Sequence, residues 1–189
     1  FSGDHPLTQE RVTVTEGGTL ALGSHTLHFV LAPMVHWPEV MVAYEDSEKV
    51  LFSADGFGNF GPLTYTDAWA DEARRYYCNI VGKYGAQVQG LLKKAAALDI
   101  QMICPLHGPQ LSGEALTRAL ALYSLWAAWK PEESGVLVAY AGFHGHTAEA
   151  AKLLAEKLHA LGETVEVIDL NRVHKSYAVS AAFKFDRMA

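Results

Sequence analysis

The chain has 189 residues, half of them hydrophobic and 19% charged, with a net charge of −6. That composition is globular and excludes disorder. The acidic balance excludes a surface built for nucleic acid or anionic lipid, which needs clustered Lys and Arg, and no apolar run approaches the ~20 residues of a membrane span.

In chain order, Arg11–Val14 and Thr19–Leu22 are predicted strands around the turn dipeptide Gly17-Gly18. Thr26–Leu31 alternates, with Leu27, Phe29 and Leu31 on one side. That strand accounts for His25 and His28 as ordinary strand residues. Met41–Tyr44 and Val50–Ser53 flank a charged turn at Glu45–Lys49. Residues 61–130 turn helical. Val88, Leu91, Leu92 and Ala95 make one stripe; Leu116, Ala119, Leu120, Tyr123, Trp126 and Ala127 make another. Ser112 is the expected N-cap of the second helix, and Trp126 and Trp129 are expected in the core. Ile100–Ile103 is a short strand between the two helices. Lys130–Gly135 reads as a linker. Beyond it, strand Val136–Tyr140, helix Thr147–Leu161 and strand Thr164–Ile168 form a βαβ unit with a parallel sheet. Ala150, Leu154, Leu158 and Leu161 are expected to face inward, with Gly162 closing the helix.

Three possible metal ligands stand in distinctive loops. His36 lies in Pro33-Met34-Val35-His36-Trp37-Pro38, Asp55 in Phe52-Ser53-Ala54-Asp55-Gly56-Phe57-Gly58, and His107 in Pro105-Leu106-His107-Gly108-Pro109. Two imidazoles and a carboxylate suit iron, zinc or manganese. A carboxylate has two oxygens and can bridge two ions, so Asp55 is the natural centre of a two-metal site. A Gly-rich segment, Tyr140-Ala141-Gly142-Phe143-His144-Gly145-His146-Thr147, follows a predicted strand and opens a helix. Small residues there let backbone N–H groups wrap a phosphate at the positive end of the helix dipole. Cys78 and Cys104 fit neither a zinc spacing nor a disulfide framework. They are expected as reduced, buried thiols of a cytoplasmic protein. No signal peptide is evident. The sequence starts at Phe1 without an initiator Met, as expected of a processed or truncated chain.

His-Trp-Pro, then Phe-Ser-x-Asp-x-Phe-Gly, then Pro-x-His-Gly-Pro resembles the flavodiiron proteins (A-type flavoproteins). Tyr76-Tyr77-Cys78-Asn79-Ile80 and Tyr123-Ser124-Leu125-Trp126 also resemble segments of that family. The resemblance implies an α/β chain of two parts. Residues 1–130 would be the C-terminal part of a metallo-β-lactamase-like αβ/βα diiron domain, and residues 131–189 the first part of a flavodoxin-like FMN domain. His36 would ligate one iron and His107 the other, with Asp55 bridging. Gly142, Phe143, His144, Gly145, His146 and Thr147 would hold the FMN phosphate. The implied activity is reduction of dioxygen to water, of nitric oxide to nitrous oxide, or both. Electrons would come from a rubredoxin or a flavin-reductase-type donor. The full enzyme would be a head-to-tail homodimer, with no nucleic-acid or membrane partner.

Three departures qualify this. The family's remaining ligands come from an H-x-E-x-D-H motif, which this sequence lacks: His5 is followed by Pro6 and Leu7, and His25-Thr26-Leu27-His28 carries no carboxylate. The three ligands left are expected to hold one ion weakly. Gly142 replaces the family's usual Ser or Thr. The chain ends at Arg187-Met188-Ala189, where the third flavodoxin strand is expected to begin, so Val136–Tyr140 is expected to present a bare apolar edge. Both sites are thus incomplete, and the isolated chain is expected to be inactive. A dinuclear metal-dependent hydrolase of the β-lactamase superfamily is the rival enzyme; the phosphate loop and the His-Trp-Pro context argue against it. A non-catalytic split-gene or degenerate module is the rival outside enzymes.

Overall fold

A computed structural model describes residues 12–189. Strands β1 (Thr19–Leu22), β2 (His25–Leu31), β3 (Met41–Glu45) and β4 (Val50–Phe52) form an antiparallel meander. Alternation sets its inner face: Val42 and Tyr44 are buried on β3 and Leu51 on β4. The chain then leaves the sheet through helices α1 (Trp69–Ile80) and α2 (Gly85–Ala95), returns as β5 (Met102–Cys104) parallel to β4, and adds the two-residue β6 (Leu111–Ser112) at the edge. The six strands lie in sequence order. Helix α3 (Gly113–Ala127) closes the core with Leu116, Ala119, Tyr123, Trp126 and Ala127, all buried. They meet Trp69 and Tyr77 of α1, Val88 and Leu91 of α2, and Ile103 of β5.

The second sheet comprises β7 (Glu133–Tyr140), β8 (Val165–Asp169) and β9 (Phe185–Met188), in the order β8-β7-β9, all parallel. Helix α4 (His146–Ala160) joins β7 to β8, and α5 (Lys175–Lys184) joins β8 to β9. Gly135 permits the close approach of β9: a Cβ there would lie 2.4 Å from the Phe185 ring.

Several expectations need correction. Val12–Val14 is not a strand, and Arg11 and His5 lie outside the described residues. The expected turn is present, closed by Gly18 N–H to Thr15 O at 2.9 Å, and Gly17-Gly18 also forms a bulge against β2. Gly17, at φ +72°, donates to Phe29 O while Phe29 donates to Gly18 O, so two residues oppose one. Ser112 occupies the N-cap position of α3, but its hydroxyl makes no capping bond. The inward stripe of α4 is Ala151, Ala155 and, partly, Leu158; Ala150 is exposed and Leu161 is 79% exposed. Strand β7 already begins at Glu133, which shortens the expected linker. Its expected bare edge is covered by β9, which starts at Phe185. Trp126 is in the core, but Trp129 is 64% exposed. It sits just past the α3 C-cap at φ +55°, where Trp129 N–H reaches Trp126 O and Lys130 N–H reaches Leu125 O. That is the helix ending usually made by glycine, and it turns Trp129 off the buried stripe. Gly162, at φ +85°, ends α4 with the same bond pattern.

Candidate metal and phosphate sites

The loops after β4 and β5 are zipped together before any side chain matters. Leu106 N–H donates to Ala54 O at 2.8 Å and Asn59 N–H to His107 O at 3.1 Å. Within the first loop the buried Ser53 hydroxyl donates to Gly56 O at 2.6 Å, and Phe57 N–H donates to the Tyr123 hydroxyl oxygen at 2.7 Å. Ala54 and Phe57 hold left-handed backbone conformations. Gly58 lies where a Cβ would stand 3.0 Å from the Tyr76 ring and 3.1 Å from His107 O. Gly108 has φ +104°, and a Cβ there would collide with Asn59 Oδ1. Glycine is required at Gly108 by close approach and a positive φ, and the fit is tight at Gly58.

This scaffold brings the three predicted ligands together. His36 Nε2 is 3.2 Å from Asp55 Oδ2, and His107 Nε2 is 3.3 Å from Asp55 Oδ1. The arrangement is two imidazole–carboxylate pairs sharing one carboxylate. Among the described residues, no three His, Cys, Asp or Glu groups converge to hold a single ion. The expectation of one ion held by all three is therefore not met, because the imidazoles face opposite oxygens. Asp55 is largely buried and His107 is open. Tyr76 was not singled out as a site residue, yet it lines the site. Its ring is 5.9 Å from His107, and its phenol is held well above the ordinary range by burial first and then by the nearby Asp55 carboxylate. The signal for it lay in its place one turn along α1 from the buried Ala73.

A groove of about 540 Å³ runs beside His107, lined by Leu63, Tyr65, Cys104, Leu106 and Gln110 among others. A larger concavity, about 700 Å³, lies at the start of α3 between Ile100, Leu116 and Arg118. Glu114 and Gln101 also line it.

The second candidate site runs from Gly142 to Thr147, through the loop after β7 and into the first turn of α4. Residues 143–147 are all exposed, and Phe143 is 96% exposed. Gly145 has φ +86°, and the first helical bond runs from Glu149 N–H to Gly145 O. The preceding N–H groups are thus the ones a helix leaves without internal partners. A Cβ on Gly142 would lie 3.0 Å from Thr147 Cβ and Oγ1, so the loop is a narrow cradle. Asn171, at the end of β8, braces it by donating to Gly142 O at 2.9 Å. Its shape and donors suit a phosphate.

A family model described as "ODP family beta lactamase" matches residues 6–108. The rubredoxin-oxygen oxidoreductase of Megalodesulfovibrio gigas is 31% identical over 179 residues, covering 88% of this chain and 44% of that protein. The anaerobic nitric oxide reductase flavorubredoxin of Aliivibrio salmonicida is 28% identical over 183 residues, covering 90% and 36%. The crystal structure of the flavodiiron protein from Giardia intestinalis superposes with a TM-score of 0.83 at 26% identity, covering 89% of this chain and 43% of that one. The chain spans less than half the length of each. No helix among the described residues is long and apolar enough to cross a membrane.

Proposed function

Since this chain belongs to the flavodiiron protein family, with its β-lactamase-like region in residues 6–108, we propose that it is part of an oxidoreductase that reduces dioxygen, nitric oxide or both. Residues 1–130 belong to a diiron domain and residues 131–189 to an FMN domain. The observation that carries this reading is the Asp55 carboxylate with one imidazole on each oxygen. A carboxylate with an imidazole beside each oxygen can serve two metal positions, each with its own imidazole.

When bound, FMN and the iron pair supply the electron relay and the redox centre. The chain's own residues do the following. Asp55, His36 and His107 would be the residues of this chain that hold the metal pair, Asp55 through its two oxygens and each imidazole beside one of them. Tyr76 keeps a protonated phenol beside Asp55. The Gly142–Thr147 loop takes the FMN phosphate through backbone N–H groups and the Thr147 hydroxyl, with His144 and His146 at its rim. The donor is a rubredoxin or a flavin-reductase-type protein, the full enzyme pairs head to tail in the cytoplasm, and the isolated chain is inactive.

The test is iron content and turnover. The purified chain should retain well under two irons after desalting and reduce neither gas. The full-length protein should retain two irons and turn over, and Asp55→Ala there should lose more iron than His36→Ala or His107→Ala. Full iron and activity in Asp55→Ala would overturn the bridge.

A further inference from the structure

The turn after β8 reaches back over the Gly142–Thr147 loop. Leu170 N–H donates to Tyr140 O at 2.8 Å, which ties β8 to β7 just where the loop begins. Asp169 then closes the turn. Its Oδ1 accepts from Asn171 N–H at 2.9 Å, and its backbone oxygen accepts from Arg172 N–H at 3.0 Å. Its Oδ2 lies 3.2 Å from Arg172 Nε. With its backbone fixed in this way, Asn171 extends its side chain to the loop, and Nδ2 donates to Gly142 O at 2.9 Å.

That bond sets a direction as well as a place. The Gly142–Phe143 peptide is trans, and a planar trans peptide points its N–H opposite to its carbonyl. Holding Gly142 O toward Asn171 therefore turns Phe143 N–H to the other side. Position 142 cannot set this plane by itself, because glycine has a wide choice of backbone angles and no side chain to limit them. A hydroxyl-bearing side chain there would be crowded, since its Cβ would stand 3.0 Å from Thr147 Cβ and Oγ1. The restraint comes from outside the loop, and among the described residues Asn171 supplies the hydrogen bond to that oxygen. Asn171 is exposed, so removing its side chain leaves no hole in either core.

We propose that Asn171 is a positioning residue for phosphate specificity: by holding Gly142 O, it keeps Phe143 N–H presented to the phosphate of FMN. It compensates for the hydroxyl that Gly142 does not carry. This rests on the reading of the loop as the FMN phosphate site. Asn171 acts through the Gly142–Phe143 peptide and not by touching the ligand. A flavin without a phosphate is therefore indifferent to it.

The full-length protein, stripped of flavin, is titrated with FMN and with riboflavin, and binding is read by flavin fluorescence. Asn171→Ala removes the side chain, whereas Asn171→Leu keeps its bulk and removes the donor. Both should weaken FMN by about fivefold, the contribution of one neutral hydrogen bond. Riboflavin affinity and the urea midpoint should stay as in the parent. Equal losses for FMN and riboflavin would overturn the proposal by making Asn171 a general prop of the fold. A parent that prefers FMN, with variants that bind it equally well, would leave the phosphate reading standing and sink only the role of Asn171. Equal affinities of the parent for the two flavins would remove the phosphate reading and the proposal with it.

Discussion

Arg74 Nε donates to Glu132 Oε1 at 2.5 Å, and this pair joins α1 to the segment that opens β7. The guanidinium is 4% exposed, and it also reaches Asp71 at 2.8 Å and Ser180 of α5 at 3.3 Å. Next to it, Arg75 lies between the rings of Phe60 and Tyr177, 4.6 Å from each. The two sheets are thus held by two consecutive arginines. Arg74→Leu should cost ~3 kcal/mol or more, because it leaves Glu132 poorly solvated and unpaired. Arg74→Leu with Glu132→Leu should recover much of that loss. Urea unfolding of the three proteins measures both. A single variant as stable as the parent would show the pair contributes nothing.

Acid should weaken the β-meander through Glu45. This carboxylate sits at the end of β3 and accepts from Glu48 N–H at 2.7 Å, Ser47 N–H at 3.0 Å and His25 Nδ1 at 3.0 Å. The Glu48 N–H bond leads these in holding its carboxyl down at about 2, from an ordinary 4.5. The native value is depressed, so the stabilisation is complete above about 4.5 and is lost as pH falls toward about 2. Glu45→Gln should flatten stability across that window. A Gln variant with the same acid slope as the parent would locate the effect elsewhere.

The thiols should be silent in the native protein. Both cysteines are free, and both are half-buried where full burial was expected. Burial pushes the Cys78 thiol up to about 12 and raises Cys104 as well. A thiol kept protonated is a poor nucleophile. At neutral pH a disulfide reagent should react slowly with the folded chain, Cys78 slower than Cys104, and rapidly with both in denaturant. Fast native labelling of Cys78 would contradict this.

Gly142→Ala should weaken FMN more than it disturbs the fold. The new Cβ would meet Thr147 at 3.0 Å in an exposed loop, narrowing the phosphate cradle while the β7 core stays untouched. Fluorescence titration of parent and variant checks it, and riboflavin, lacking the phosphate, should bind the parent hardly at all. Equal affinities for FMN and riboflavin would remove the phosphate from the argument.

Much of this was legible because it is local. Alternation located β2, β3 and β4, helical spacing located α3, and the residues flanking His36, Asp55 and His107 marked them as a set. What was missed depends on neighbours. The α4 stripe slipped by one residue because Ala150 and Ala151 are equally apolar, and only the sheet decides between them. Trp129 left the core because the helix ending takes a conformation that its side chain does not announce. The third parallel strand was expected to begin only at Arg187; β9 starts two residues earlier, where Phe185 packs on Gly135 and Asp186 accepts from Gly135 N–H. The split of ligands into two pairs follows from which way the Asp55 oxygens point, a matter of loop geometry alone.

The parallel pairing of β4 with β5 has a kinetic consequence. Val50 meets Met102 across about fifty intervening residues that include two helices. Closing that loop costs chain entropy before its contacts form, and such pairings are slow. Asp55 follows β4 and His107 follows β5, so their imidazole–carboxylate contact cannot exist until this long-range register is set. The candidate metal centre is therefore expected to mature last, after the hairpins and the helical stripe are already in place.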